Sequence, residues 1–195
     1  MNNGPILVAL CARPKSGKST IQKFLEEDFG ILPIDDGEVL RRHVMELFDL
    51  SLEDVTTQQG KENHTLIQGV DWENRKVIGE YGAILEERFG ELTVPNWALR
   101  QADKLWKEQQ ENKRNPRGFS FGSVRRNQGK AYNARGALVI EITRPGIAPT
   151  GNIWDEYEPG WITHRFANDG SLETLRRDFG VFFTSILETD YRIAA

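Results

Sequence analysis

The residues with the clearest capacity for chemistry lie near the N-terminus, where Ser16-Gly17-Lys18-Ser19-Thr20 follows the apolar run of residues 6–10. An apolar run before such a loop predicts a buried strand, and a helix is expected after it. Backbone N–H groups around Gly17 can surround phosphate oxygens, and the N-terminus of the following helix adds a favourable dipole. In this pattern Lys18 reaches the terminal phosphates of a nucleotide and the Ser19 hydroxyl binds Mg²⁺. The segment is therefore predicted to be a phosphate-binding loop.

The loop departs from the usual pattern G-x-x-x-x-G-K-[ST] at one position, because Ala12 stands where the first glycine is expected. Alanine is compatible with that position if its φ angle is negative. A surface loop rich in lysine and serine is the competing interpretation, and the strand before it and the helix after it argue against that. We expect the loop to bind ATP with Mg²⁺, and Ser19 to be the metal ligand. The residues expected to contact ATP here are Arg13, Lys15, Ser16, Gly17, Lys18, Ser19 and Thr20.

The composition of the chain favours a single domain, because 195 residues with 38% hydrophobic content can build one core of ordinary size. The net charge of -4 argues against a stable nucleic-acid partner or a basic membrane-binding surface. A single cysteine, Cys11, excludes an intrachain disulfide, and we expect a cytoplasmic protein. No apolar run approaches the ~20 residues that span a bilayer, and the N-terminus lacks a signal-peptide pattern. The three histidines are scattered without metal-site spacing.

Apolar periodicity predicts strands that alternate with helices, which is typical of an α/β fold with a mainly parallel sheet. Gly30 is expected to end the first helix and Ser171 to cap the last. The weakly patterned residues 49–71 are expected to be irregular or to hold a short helix. The predicted strands are 6–10, 31–34, 119–121, 137–143 and 161–167. The predicted helices are 18–29, 39–48, 77–89, 97–106, 126–135 and 172–187.

Ligands on parallel sheets bind at the carboxyl ends of the strands. This rule brings together the phosphate-binding loop, Asp35-Asp36, residues 123–126 and residues 144–146. Either aspartate could hold a Mg²⁺-bound water or an acceptor hydroxyl. A turn in which Asp36 caps the next helix is an equally good interpretation.

Arginines could supply the fixed positive charge that phosphate transfer needs, because a guanidinium group contacts phosphate through two hydrogen bonds. Arg125 and Arg126 follow the third predicted core strand, and an ordinary basic surface pair is the alternative. Arg75 and Arg88 flank a helical stripe, where solvated helix charges would look the same.

Residues 145–160 form a loop rich in proline, glycine and tryptophan that suits a lid closing over bound phosphates. Arg144 stands at its start, directly after a predicted strand. A plain crossover connection between two strands is the alternative interpretation.

The order of several short motifs resembles the deoxynucleoside monophosphate kinases of bacteriophages. The motifs are the Ser-Gly-Lys-Ser-Thr loop, IGEYG at 78–82 leading to ERFG at 87–90, GALVIEITRPG at 136–146, and NDGSLE at 168–173. The resemblance covers most of the chain, loosely at 40–70 and 95–117. It implies a three-layer P-loop NTPase fold with a core of residues 1–36, 118–144 and 161–195. A helical acceptor-binding region would then span residues 37–117, and a short lid residues 145–160.

The resemblance also implies an activity, the ATP-dependent phosphorylation of deoxynucleoside monophosphates to diphosphates. Arg144 would then lie over the donor adenine or its phosphates, and Asn168 and Gly170 would line the adenine pocket. Arg125 would face the transferred phosphate, and Arg88 would lie near the acceptor. The residues expected to serve catalysis are Lys18, Arg125, Arg144, Asp35 and Asp36. The residues expected to bind the acceptor are Asp36, Arg75, Arg88, Arg125 and Arg126.

Two departures from the family pattern keep alternatives open. Ser123 stands where an aspartate is usual, and residues 128–130 lack an expected acidic side chain. Metal-bound water would then be positioned by Asp35 or Asp36. The same two carboxylates favour a related kinase with a hydroxyl acceptor such as dephospho-coenzyme A or a modified nucleotide base, because a carboxylate can accept the hydroxyl proton. Ala12 and Ser123 favour a third reading, a nucleotide-binding protein that has lost catalysis. The resemblance further allows a homodimer and a viral origin, hence the host cytoplasm.

Overall fold

A five-stranded sheet lies at the centre of the computed structural model, which describes residues 4–112, 116–149, 151 and 155–191. Its strands are β1 (Ile6–Ala12), β2 (Ile31–Ile34), β5 (Gly118–Phe121), β6 (Leu138–Thr143) and β7 (His164–Ala167). They lie in the order β2-β5-β1-β6-β7, and every neighbouring pair is parallel. All residues of the central strand β1 are buried, as expected for a parallel strand covered on both faces.

Helices cover both faces of the sheet, which confirms the predicted three-layer α/β architecture. Helices α1 (Lys18–Phe29) and α8 (Leu172–Asp190) pack on one face. Helices α6 (Thr93–Glu111) and α7 (Gly129–Ala134) pack on the other. Alternate residues of β1 face opposite layers, so Val8 and Leu10 join the first core and Leu7 and Ala9 the second.

The ends of the two helices on the first face are as predicted. Gly30 adopts φ 66° and closes α1 with hydrogen bonds from its N–H to the carbonyls of Glu26 and Leu25. The Ser171 hydroxyl accepts a hydrogen bond from the Thr174 N–H at 3.2 Å and caps α8.

A smaller unit stands between β2 and β5 in the chain. It contains helices α2 (Glu38–Phe48), α3 (Leu52–Thr56), α4 (Gln58–Glu62) and α5 (Asn74–Phe89) around a small core of Val44, Leu50, Val55 and Val77. It also holds an antiparallel hairpin of β3 (His64–Ile67) and β4 (Val70–Glu73).

Two parts of the predicted helical acceptor-binding region differ from expectation. The β3–β4 hairpin makes this region a mixture of helix and strand. Gln68 and Gly69 at its turn both take positive φ, as a tight hairpin turn requires. Helix α6 packs on the sheet through Ala98, Leu99 and Ala102, so it belongs to the core. Residues 113–115 of the same predicted region lie outside the described residues.

Residues 150 and 152–154 of the predicted lid lie outside the described residues. Residues 155–160 are docked on the core: Arg126 N–H donates to Glu156 O at 2.7 Å, and Glu158 N–H donates to Arg126 O at 2.8 Å. The Tyr157 hydroxyl donates to Glu141 Oε1 at 2.9 Å. Because residue 126 takes part in this pairing, α7 begins at Gly129, three residues later than predicted. A 3-10 turn at Pro159–Trp161 precedes β7, so that strand begins at His164.

Within the described ranges, none of the helices combines the length and the apolar character needed to cross a membrane.

Candidate functional site

The loop between β1 and α1 has the backbone geometry of an anion-binding turn. Lys15 and Gly17 take positive φ angles of 68° and 95°. The first helical hydrogen bond of α1 runs from Ile21 N–H to Gly17 O at 3.0 Å. The N–H groups of residues 18–20 precede that bond and are therefore left for a ligand, at the positive end of the helix dipole.

Ala12 fits the loop although the usual pattern has glycine there. It is the last residue of β1, is fully buried and pairs with Ile142 of β6. Its φ is not among the positive values of the described non-glycine residues. An alanine side chain therefore causes no backbone strain at this position.

Asn168, which directly follows β7, holds the loop. Its buried side chain donates from Nδ2 to Ser16 O at 2.9 Å, and its own N–H donates to Thr143 O at 2.8 Å. A Cβ on Gly17 would lie 2.5 Å from this Nδ2, so the contact requires glycine. Asn168 and Gly170, which were expected to line an adenine pocket, do not line the cavity at the loop.

A cavity of about 660 Å³ opens in front of the loop and gathers most of the predicted site residues. It is called the donor cavity here. Its predicted lining residues are Arg13, Lys15, Ser16, Gly17, Lys18, Ser19, Thr20, Asp35, Asp36, Arg75, Arg125 and Arg144. Arg144 is exposed at the end of β6. The carboxyl ends of β1, β2, β5 and β6 therefore meet at one site, as the parallel-sheet rule predicts.

Lys18 is a strongly perturbed titratable residue of the donor cavity. Burial and the nearby Arg125 charge lower the pKa of Lys18 to about 7, while Asp36 and Asp155 oppose the shift. An anionic ligand would favour the charged form of this lysine.

Asp36 lies between the donor cavity and a second cavity. Its side chain is buried, and Oδ2 accepts a hydrogen bond from the Ser123 N–H at 2.7 Å. Burial raises the pKa of Asp36, and the Ser123 hydrogen bond and Lys18 oppose that shift. The N-cap of α2 is Gly37, so the interpretation of Asp36 as a helix cap is wrong. Asp35 instead lies at the exposed side of the donor cavity and pairs with Arg41.

The second cavity, called the acceptor cavity here, encloses about 150 Å³ beneath α2 and α5. It joins the donor cavity along Asp36, Lys61, Arg75, Ser123 and Arg125, which line both. Leu40, Ile78 and Val94 supply apolar walls, and Glu86 and Gln128 supply polar groups.

Two arginines converge on one carboxylate where the two cavities meet. Arg75 Nη1 and Arg125 Nη1 lie 3.7 Å and 3.5 Å from Asp155 Oδ1. Asp155 is only 4% exposed. The buried Arg125 Nη1 forms this ion pair but makes no hydrogen bond within the described residues. Burial lowers the pKa of Arg125, while Asp155 opposes the shift.

Of the other two arginines predicted to bind the acceptor, one lines the acceptor cavity and one does not. Arg126 lines the acceptor cavity, and its Nη1 lies 3.4 Å from Glu86 Oε2. Arg88 is exposed near the end of α5 and lines neither cavity, so it does not join the cluster. The inward residue of that helical turn is Glu86, which the sequence reasoning missed.

The site residues that were not predicted differ in how much signal the sequence carried for them. Glu86 carried a usable signal, since it follows the buried Gly82 by four residues on the inward stripe of α5. Lys61 lies in the weakly patterned stretch, and Asp155 and Gln128 reach the site through loop packing that no local pattern encodes.

Comparisons with known proteins identify the fold. No protein-family model matches the chain, and no curated protein matches it. Among solved structures, it is similar to the dephospho-CoA kinase from Campylobacter jejuni, with a TM-score of 0.52 and 15% sequence identity over 94% of this chain and 98% of that chain. It also matches TT1252 from Thermus thermophilus with a TM-score of 0.47 and 18% identity, covering 94% of this chain and 99% of that one. The chain thus shares the α/β fold of the first of these two structures.

Proposed function

We propose that the protein transfers the γ-phosphate of ATP to the phosphate of a deoxynucleoside monophosphate. The observation that carries the proposal is the convergence of Arg75 and Arg125 on the Asp155 carboxylate at the junction of the two cavities. A buried site with two guanidinium groups around one anion suits an acceptor phosphate, which would take the place of the carboxylate. The choice of deoxynucleotides is supported by the resemblance to the bacteriophage enzymes.

The donor cavity would hold the triphosphate of ATP. The N–H groups of residues 18–20 would contact its phosphate oxygens, and Lys18 would regain full charge beside them. The Ser19 hydroxyl and the carboxylates of Asp35 and Asp36 are oxygen donors on the same cavity wall, so they fit Mg²⁺. Among the described residues no group of three or more His, Cys, Asp and Glu side chains could hold a metal ion by itself. Phosphate oxygens and water would therefore complete the shell. Bound Mg²⁺ would neutralise charge on the β- and γ-phosphates.

The reaction would be an in-line displacement. An oxygen of the acceptor phosphate attacks the γ-phosphorus, and the bond between that phosphorus and the β–γ bridging oxygen breaks, leaving ADP. Arg125 lies close enough to Lys18 for its charge to lower the pKa of Lys18, so both cations would be near enough to stabilise the transferred group. Positioning and charge stabilisation supply most of the catalysis in such reactions.

A second candidate is a kinase with a hydroxyl acceptor such as dephospho-coenzyme A. Asp36 favours it, because a carboxylate with a raised pKa that lines both cavities could accept the proton of an attacking hydroxyl. The structural likeness to a dephospho-CoA kinase supports this candidate more directly than the first. The arginine pair favours the first, since the attacking group of the second candidate is an uncharged hydroxyl.

A coupled ADP-release assay distinguishes the candidates. Purified protein with ATP and Mg²⁺ is given each deoxynucleoside monophosphate, each ribonucleoside monophosphate, and dephospho-coenzyme A, with an acceptor-free reaction as background. We expect turnover with at least one deoxynucleoside monophosphate. Turnover with dephospho-coenzyme A alone would establish the second candidate. ATP binding without turnover on any acceptor would support the nucleotide-binding interpretation.

A further inference from the structure

The acceptor cavity contains a buried carboxylate that the proposed phosphate transfer does not use. Glu86 lines this cavity, and its side chain is only 8% exposed. Burying a carboxylate beside apolar walls is unfavourable unless other groups hydrogen-bond to it or pair with its charge. Its partners therefore decide which hydrogen bonds the carboxylate can still offer to a ligand.

Two side chains fix the orientation of the Glu86 carboxylate. Gln128 Nε2 donates to Oε1 at 2.7 Å, and Arg126 Nη1 lies 3.4 Å from Oε2. Gln128 is itself held, because its Oε1 accepts a hydrogen bond from the Arg125 N–H at 3.1 Å. Burial raises the pKa of Glu86, while Gln128 and Arg126 oppose that shift by favouring the ionised form. The result is a preorganised acceptor of hydrogen bonds with an arginine at its side.

The carboxylate can accept hydrogen bonds beyond those two contacts, since each of its oxygens has more than one acceptor site. A base that fits must present adjacent N–H donors to Glu86 and a carbonyl oxygen to Arg126. Guanine offers this order on one edge, with its 2-amino group, N1–H and O6. Adenine and cytosine each place a ring-nitrogen acceptor beside the amino group, which would face the carboxylate. Thymine has one N–H between two carbonyl oxygens.

We propose that Glu86, oriented by Gln128, selects guanine, so that the preferred acceptor is deoxyguanosine monophosphate. The inference rests on the proposed function, because it uses the acceptor cavity as a nucleotide site. Arg75 and Arg125 line the same cavity and would hold the phosphate of that nucleotide. Leu40 and Ile78 supply apolar surface for the faces of the ring.

The test compares acceptors on the wild-type protein and on two variants. In the wild type, kcat/KM with deoxyguanosine monophosphate should exceed that with the adenine, cytosine and thymine nucleotides. Deoxyinosine monophosphate, which lacks only the 2-amino group, should lose about tenfold or more, because one hydrogen bond to a buried charge is missing. This comparison needs no mutation, so a folding defect has no influence on it.

The variant Glu86→Gln should lower kcat/KM for deoxyguanosine monophosphate by about 10²-fold, because its amide NH₂ would face the donors of the base. Glu87→Gln removes the same charge from the next, exposed residue and should change kcat/KM by less than about twofold. The thermal midpoint and ATP affinity of each variant serve as checks on folding.

The outcomes separate the two proposals. Turnover of nucleoside monophosphates with another base preferred, or a guanine preference that survives Glu86→Gln, overturns the role of Glu86 and leaves the proposed function intact. Absence of turnover on every nucleoside monophosphate overturns the proposed function and this inference together.

Discussion

The donor and acceptor cavities are built in different ways, although they share a wall. The longest continuous part of the donor cavity is residues 13–20, whose backbone N–H groups suit any phosphate chain. The acceptor cavity is lined by residues from α2, α4, α5, α6 and three loops. A group common to all nucleotides can therefore be bound by local backbone geometry. A particular acceptor requires side chains that only the tertiary fold brings together.

The two cavities also differ in how they hold positive charge when no ligand is bound. Burial lowers the pKa of Lys18 to about 7, so the donor cavity disfavours the charged form of this lysine. In the acceptor cavity the Asp155 carboxylate lies beside both Arg75 and Arg125. The donor cavity would thus gain charge as its ligand binds, whereas the acceptor cavity would exchange one anion for another.

The largest expected effect comes from removing the cation of the donor cavity. Lys18→Met should reduce ADP release by about 10³-fold, because a preorganised charge next to the transferred phosphate is lost. The matched control is Lys23→Met on the same helix, where the lysine side chain is 68% exposed and pairs with Glu27. Turnover of Lys18→Met near the wild-type rate would show that the donor cavity does not serve catalysis.

The next effect should fall mainly on the acceptor, although Arg125 lines both cavities. Arg125→Ala should lower kcat/KM for the acceptor by about 10²-fold and leave ATP affinity, measured by calorimetry, within about threefold. Arg88→Ala should leave both quantities unchanged, since Arg88 is exposed and lines neither cavity. Equal losses in the two variants would contradict the separation of Arg88 from the site.

A smaller effect should follow from removing the anion that lies between the arginines. Asp155→Asn should lower the KM for the acceptor by about threefold, because the acceptor phosphate no longer competes with a carboxylate. The same variant should melt a few degrees lower, since Arg75 and Arg125 lose their partner. Asp103→Asn, which breaks the exposed pair with Arg135, provides the control. A raised KM would show that Asp155 helps to bind the acceptor.

The smallest effect concerns stability without ligand. The pKa of Lys18 falls from its ordinary value of 10.5 to about 7 in the folded protein. Between these pH values the unfolded chain binds more protons, so Lys18 makes the protein more stable as pH rises. The free-energy cost of burying the charged Lys18 in the folded protein is greatest below pH 7. Lys18→Met should therefore raise the thermal midpoint by a few degrees at pH 6, and the gain should shrink towards pH 10. A gain that grows with pH would contradict the lowered pKa.

The donor cavity was largely predictable from the sequence, and the acceptor cavity was not. The strand β1, the loop and α1 are contiguous, so periodicity and one motif sufficed to place Lys18 and Ser19. The orientation of α5 decides which of its charged residues reaches the cavity, and it turns Glu86 inward and Arg88 outward. Asp155 enters from a distant loop held by backbone pairing to Arg126. Local sequence carries no record of such contacts.

The most direct test of the acceptor as a phosphate is ³¹P NMR of the reaction products. Wild-type protein is incubated with ATP, Mg²⁺ and the four deoxynucleoside monophosphates, and in a parallel sample with dephospho-coenzyme A. A phosphate acceptor predicts new coupled doublets of a deoxynucleoside diphosphate, distinguished from ADP by chromatography, and no new product from dephospho-coenzyme A. A new uncoupled phosphomonoester signal, without any deoxynucleoside diphosphate, would contradict the account and assign the acceptor to the hydroxyl class.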